Sequence, residues 1–337
     1  MTNQTAATQN AAAEIASRWI GGGAMGESDK GRAGARAAET RGRGPMKTSI
    51  VLSGGGMRAW QAGVLDTVLP RVYATHAYGI SMGALNAVLS ALWAADAGPL
   101  PGEYWERNVR HPQDLFEKKS RLWRLIPGLL RGRFDGLMGF GGLRRKLDAV
   151  DWNAVAYSPM GIETGATNMA SGQIEYASPF FYRFPDYVLA SCAIPMIFPL
   201  VRVGQAYYTD GGSVESAPLR RAIQAGAERI ICVFSAPRFP AATHFRPGNA
   251  VALASRHMEI IAGALMTRDI ERAESINRDL VDFRHCLKPP SLLGKRVLEI
   301  IPIVPENDLP VSVDDFEHDD IRAMVDLGRR AGAEVDL

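Results

Sequence analysis

Apolar positions follow two alternating rhythms along this chain, and both begin only after residue 46. Short continuous apolar runs, such as Ser49-Ile50-Val51-Leu52 and the stretch 229–234, have the length of strands buried on both faces. Between them lie longer stretches in which apolar residues recur every three or four positions, the period of a helix with one buried side. The pattern predicts strands over 49–52, 77–80, 161–169, 174–176, 206–209, 229–234, 280–283 and 297–303. It predicts helices over 61–69, 217–226, 251–277 and 319–331, and a strand–turn–helix unit over 78–95. Ala170-Ser171-Gly172-Gln173 reads as a polar turn between two strands, and Gly226 as a helix stop. Strands alternating with helices of this length imply a mostly parallel central sheet covered on both faces, a three-layer α/β/α sandwich.

Composition refines this picture at the ends. Residues 1–46 are rich in Ala, Gly, Thr and Arg, with Ile15, Trp19 and Ile20 as almost their only large apolar residues. They read as a disordered extension with at most a short helix around 11–20, ahead of a folded part over 47–337. An apolar content of 47% across 337 residues supplies a full core for that part. A net charge of +2 gives no support to nucleic-acid binding. Cys192, Cys232 and Cys286 are odd in number and far apart, which argues against a disulfide framework or zinc knuckle. They read as small buried hydrophobes in a reducing compartment. No basic leader followed by an apolar run opens the chain, and the longest apolar stretch, 79–95, is interrupted by Ser81, Asn86 and Ser90. The expected location is cytoplasmic, with contact to a membrane only at its surface.

Three glycine-punctuated segments carry the candidate chemistry. In Gly79-Ile80-Ser81-Met82-Gly83 a serine stands between two glycines, behind a strand and ahead of an apolar helix. That is the pattern of a nucleophile elbow: small residues on either side of the serine permit a strained turn and close strand–helix contact. The N–H groups that open the helix would face the charge developing in acyl transfer. Ser53-Gly54-Gly55-Gly56-Met57-Arg58 directly follows the first strand. Three glycines there leave backbone N–H groups unobstructed, as an anion cradle requires. Neither the P-loop nor the dinucleotide pattern is met, because no Gly-Lys-Ser/Thr follows and Ala59 and Trp60 occupy crowded positions. An oxyanion hole beside the serine elbow fits better. Tyr208-Thr209-Asp210-Gly211-Gly212 places an aspartate at the end of a predicted strand, in reach of a site at that edge of the sheet, although such a segment taken alone is more often an Asp-Gly turn than a catalytic acid.

Together and in this order, the glycine loop, the elbow and the Asp-Gly-Gly segment closely resemble the patatin-like phospholipase family. Thr164-Gly165-Ala166-Thr167-Asn168, Ala190-Ser191-Cys192-Ala193-Ile194-Pro195 with Phe198-Pro199, and the tail 305–328 also look like family segments, so the resemblance runs from about residue 48 to 337. It implies Ser81 as nucleophile and Asp210 as base of a Ser–Asp dyad. It further implies Gly54, Gly55, Gly56 and Met57 as the oxyanion hole, and Arg58 as the basic position that orders the loop or meets a phosphate head group. Gly79, Gly83, Gly211 and Gly212 complete the motifs. One departure is Ala59, where the family often has glycine; alanine is small enough to be tolerated. The implied substrate is a phospholipid or related acyl lipid, and the dyad chemistry requires no metal or other cofactor. An ordinary aspartate is too acidic to take a serine proton readily, so Asp210 is expected to be buried.

The sequence also admits two rival readings. A serine esterase with a Ser–His–Asp triad would draw its histidine from His244, His257, His285 or His318, of which His285, just after a predicted strand, is the best placed. A non-catalytic lipid-binding module would have no need of three intact motifs. Residues 117–146 interleave Lys118, Lys119, Arg121, Arg124, Arg131, Arg133, Arg144, Arg145 and Lys146 with Leu122, Trp123, Leu125, Ile126, Leu129, Leu130 and Phe134. That pattern suits either an interfacial segment docking on anionic lipid or an ordinary helix pair with a basic solvated face.

Overall fold

In the computed structural model, which describes residues 46–55, 59–118, 136–234, 236–237, 250–283, 292–306, 309 and 316–337, the first apolar run becomes β1 (Thr48–Leu52), buried along its whole length. Helix α1 (Ala59–Val68) follows, then β2 (Ala74–Ile80) and α2 (Met82–Ala94). After α3 (Pro101–Asn108) comes a small antiparallel pair, β3 (Glu117–Lys118) with β4 (Met138–Gly139), and the helices α4 (Gly141–Asp148) and α5 (Trp152–Ala156). The strands β5 (Gly161–Asn168) and β6 (Ile174–Ala177) lead into α6 (Phe184–Ser191) and the hairpin β7 (Val201–Val203) and β8 (Ala206–Asp210). The chain closes with α7 (Leu219–Gln224), β9 (Arg229–Val233), the long α8 (Ala250–Asp282), β10 (Glu299–Ile303) and α9 (His318–Ala333).

The central sheet has the order β10-β9-β1-β2-β5-β8-β7, with β6 paired to β5. Pairings from β10 to β5 are parallel, whereas β6, β8 and β7 join antiparallel. Alternation along β1 sorts its side chains between two cores. Ile50 and Leu52 pack with residues of α1, α2, α6 and α9, while Val51 packs with α7 and α8 through Leu219, Met266 and Ile270. Helices therefore cover both faces, as the alternating pattern predicted.

Contacts between neighbouring helices fix the first of these layers. A Cβ on Gly63 of α1 would meet the Val325 carbonyl oxygen of α9 at 2.0 Å, and one on Gly328 would meet that of Trp60 at 2.0 Å, so the two backbones touch. Arg329 grips both carboxylate oxygens of Glu106 at 2.8 and 3.0 Å and donates Nε to Asp66 at 2.9 Å, tying α9 to α3 and α1. A buried polar chain crosses the same layer. Trp105 Nε1 donates to Asn86 (2.8 Å), Asn86 Nδ2 donates to Gln61 (2.9 Å), and Gln61 Nε2 donates to the Val233 carbonyl at the end of β9 (2.8 Å).

Several elements differ from expectation. Residues 280–283 were expected as a strand, but α8 runs to Asp282. Its buried stripe Met266, Ile270, Ala273 and Leu280 keeps helical spacing to the end, so Leu280 closes that stripe and starts no new element. Helices α3 and α6 were not anticipated; both open on a proline at N1 or N2 and are short. The sheet is mostly parallel as expected, with the antiparallel strands β6, β8 and β7 gathered beyond β5. Residues 1–45 lie outside the described residues, and with them the expected disordered extension. Most of the basic segment, 119–135, lies outside them too. At its described end Arg144 pairs with Asp186, Arg145 with Glu117, and Lys146 donates to the Asn108 carbonyl, so these cations are held within the fold.

Candidate active site

The parallel strands β1 and β2 end at one edge of the sheet, and the glycine loop and Ser81 follow directly from them. Ser81 has φ 57° and ψ −134°, outside the comfortable regions for an L-residue, and is followed at once by α2. Such a conformation costs on the order of 1–3 kcal/mol and persists only where its surroundings enforce it. Two glycines make the turn feasible. A Cβ on Gly79 would lie 2.3 Å from the Gly83 carbonyl oxygen, and one on Gly83 would lie 2.6 Å from that of Leu52. The elbow expected from the sequence is thus formed, with the strand and helix backbones in contact.

Asp210 reaches the same place by another route than a strand-end rule suggests. Strand β8 runs antiparallel to β5, so its carboxyl end points away from the edge. Register places it: Ile80 pairs with Gly165, and the next residue, Ala166, pairs with Asp210. The carboxylate comes level with Ser81 because β8 enters from above the edge and ends there. Ser81 Oγ donates to Asp210 Oδ2 at 2.7 Å, across 129 residues of sequence. Both residues are almost wholly buried, at 1% and 2% exposure. The other carboxylate oxygen accepts the Gly212 N–H at 2.7 Å, which fixes the plane of the group. The Asp210 backbone is pinned too: its N–H goes to the Ala193 carbonyl (2.9 Å), and its carbonyl accepts from Thr167 Oγ1 (3.0 Å).

The glycine loop is only partly as expected. Gly54 donates its N–H to the Ser216 carbonyl at 2.8 Å, which removes that group from the oxyanion donors predicted for the loop. Its lack of a side chain matters instead, since a Cβ there would stand 3.1 Å from Ile80 Cγ2 and 3.3 Å from Ser81 Cβ. Gly55 adopts φ 118°, a conformation that glycine alone takes readily. Gly56, Met57 and Arg58 lie outside the described residues. At the other side of the elbow, Met82 and Gly83 open α2, where backbone N–H groups lack an intrahelical acceptor.

Sequence reasoning assigned no role to residues 190–195, yet they surround the serine. Ser81 donates its own N–H to Ser191 Oγ at 2.9 Å, and Ser191 Oγ donates onward to the Gly165 carbonyl at 2.6 Å. Cys192 Sγ donates to the Ser81 carbonyl at 3.2 Å. Burial, reinforced by the charge of Asp210, pushes the Cys192 thiol well above its ordinary range, so it stays protonated. The described histidines lie elsewhere. His76 sits against Gly161 at the opposite end of β2, His111 caps a short helical turn, His318 bonds the Glu106 carbonyl, and His257 is exposed on α8. His244 and His285 are outside the described residues. Among the described residues no group of His, Cys, Asp and Glu side chains is arranged to hold a metal ion.

A serine presented on a strained elbow, hydrogen-bonded to a buried aspartate beside a glycine-rich turn, stands at the edge of the sheet of an α/β sandwich. The chain belongs to the patatin-like phospholipase family, whose model matches residues 50–223, just over half of it. The family is that of the patatin-like phospholipases, which supports lipid acyl hydrolysis in general. The matched span includes the glycine loop, Ser81 and Asp210 and ends before residues 224–337, short of the expected reach of the resemblance to residue 337. Among solved structures, that of VipD from Legionella pneumophila is similar at 14% identity and a TM-score of 0.38. The alignment covers 85% of this chain and 66% of VipD, so the chain spans less than two thirds of that protein's length. No curated protein matches the chain. No helix among the described residues is long and apolar enough to cross a membrane.

Proposed function

We propose that this protein hydrolyses acyl esters of phospholipids or related lipids with Ser81 as nucleophile, Asp210 as its general base, and an acyl-Ser81 intermediate. The observation that carries the proposal is the 2.7 Å hydrogen bond from the Ser81 hydroxyl to the buried Asp210 carboxylate. A serine hydroxyl must lose its proton as it attacks, and this bond supplies a direct acceptor for it.

In the first half-reaction, Ser81 Oγ bonds to the ester carbonyl carbon while its proton passes to Asp210 Oδ2. The tetrahedral oxyanion is held by the N–H groups of the glycine loop from Gly55 through Gly56 and Met57, together with the helix-opening N–H of Met82. Such donors are typically worth about 2.7–4 kcal/mol each. Collapse breaks the bond to the alcohol, which takes the proton from Asp210 and leaves. Water then attacks the acyl-Ser81 carbonyl, giving its proton to Asp210, and the fatty acid departs as Ser81 recovers its hydrogen. Arg58 lies one step beyond the donor loop and is assigned to ordering it or meeting a lipid phosphate. Residues 47–337 form the catalytic domain in this reading.

Mass spectrometry of products from mixed phospholipid vesicles, comparing wild type with Ser81→Ala, tests it. Wild type releases free fatty acid and reacts with a fluorophosphonate, and Ser81→Ala does neither. Full activity and labelling in Ser81→Ala would overturn the assignment.

A further inference from the structure

The segment Ala190-Ser191-Cys192-Ala193, at the end of α6, touches the Ser81 backbone at both its N–H and its carbonyl. Taking the nucleophile assignment above as its basis, we infer that Ser191 is a positioning residue for catalysis, holding the strained elbow through a hydroxyl bridge between Ser81 and β5. Its Oγ accepts the Ser81 N–H at 2.9 Å and donates to the Gly165 carbonyl at 2.6 Å. Ser191 is fully buried, so water does not compete for either bond.

Two features make the bridge more than local packing. First, Ser81 sits at φ 57°, and an unsupported peptide there would relax toward an ordinary turn. The elbow is held instead on both polar groups: the N–H by Ser191, and the carbonyl by the Cys192 thiol at 3.2 Å and the Ala84 N–H at 2.9 Å. Second, the Gly165 carbonyl that receives the Ser191 proton also abuts the turn after Asp210. A Cβ on Gly211 would lie only 2.6 Å from that oxygen. One hydroxyl therefore sets the nucleophile's backbone against the same carbonyl that the Asp210–Gly211 turn rests on. Because the Ser81 N–H is given to Ser191, it is also withheld from the oxyanion, whose donors come from the glycine loop and Met82.

The bridge acts on the alignment of Ser81 Oγ with Asp210 and the ester carbon, not on substrate affinity. A misplacement of about 1 Å at a reacting atom costs up to roughly 10²-fold in rate. Ser191→Ala removes both bonds. Ser191→Cys keeps the shape with a somewhat larger atom and substitutes a weak donor and acceptor. Ser191→Thr keeps the hydroxyl. Initial rates on a soluble p-nitrophenyl ester should be normalised to folded protein by circular dichroism and accompanied by the rate of fluorophosphonate labelling. The expected result is a kcat lowered about tenfold or more in Ser191→Ala and Ser191→Cys, with KM unchanged, labelling slowed in parallel, and most of the loss recovered in Ser191→Thr. A kcat per folded molecule that stays within a few-fold of wild type in Ser191→Cys overturns the inference, as does a loss confined to KM or to melting temperature. Should Ser191→Ala not fold, Ser191→Cys is read by the same criteria. Ser81→Ala measured alongside separates the two levels. If it is inactive while the Ser191 variants are unimpaired, only the positioning role falls; if it is active, the nucleophile assignment falls first.

Discussion

Replacing Asp210 by asparagine is the sharpest perturbation of this site, because it preserves shape and removes basicity. The side chain is 2% exposed, and its two oxygens have separate duties: Oδ1 accepts the Gly212 N–H at 2.7 Å and Oδ2 accepts the Ser81 hydroxyl at 2.7 Å. An asparagine that keeps its oxygen toward Gly212 must turn its amide toward Ser81. The amide then donates to Oγ where the carboxylate accepted, and the proton that Ser81 must lose has no acceptor. General-base assistance is typically worth about 10²–10⁴-fold, or roughly 2.7–5.5 kcal/mol at 1.36 kcal/mol per decade. Asp210→Asn should lower kcat on a soluble ester by that amount, with little change in KM and melting temperature. Residues that act as one unit are strongly non-additive, so Ser81→Ala/Asp210→Asn should be no slower than Ser81→Ala alone. Stopped spectrophotometric assays of all four proteins, with melting curves, make the comparison. The reasoning is refuted by an Asp210→Asn enzyme within tenfold of wild type, or by losses that multiply in the double variant.

Gly83→Ala would drive a Cβ against the backbone oxygens of Leu52 at 2.6 Å and Ser53 at 2.9 Å, which cannot yield as a side chain would. The expected cost is about 1–3 kcal/mol, a fall of roughly 2–12 °C in Tm, whereas Gly263→Ala on α8, with nothing within 4 Å, should leave Tm level or raise it; calorimetry on the pair checks this, and equal behaviour would contradict it. The Cys192 thiol is held protonated by burial and the neighbouring Asp210 charge, and burial pushes Cys232 up to about 12, so both should resist iodoacetamide at pH 8 in the native state and react on denaturation. Peptide mapping that found either alkylated in native protein would count against the described packing.

Much of the fold was legible in advance because it depends on local period. The runs at 49–52 and 229–234 are buried on both faces and announce themselves as central strands, and the apolar stripe of α9 fixes its buried side. Where the local signal was weak or ambiguous, expectation went astray. Leu280 belongs to a helical stripe that began far upstream, and α6 opens Phe184-Pro185 with little helical character of its own, forming because Tyr187, Val188 and Leu189 pack into the core.

By itself the sequence determined the chemistry on offer: a serine between glycines, an aspartate before two glycines, and a glycine-rich loop after the first strand. Residue type and spacing along the chain are local facts, and local sterics make glycine the residue for such turns. The tertiary structure alone decided how these groups meet. The antiparallel register of β8 on β5, not the strand's direction, sets Asp210 beside Ser81. Gly54 lost its expected donor role to the Ser216 carbonyl, and Ser191 acquired a place at the nucleophile. Hydrogen bonds between residues more than a hundred positions apart depend on packing distances, and no period or motif in a linear sequence encodes those.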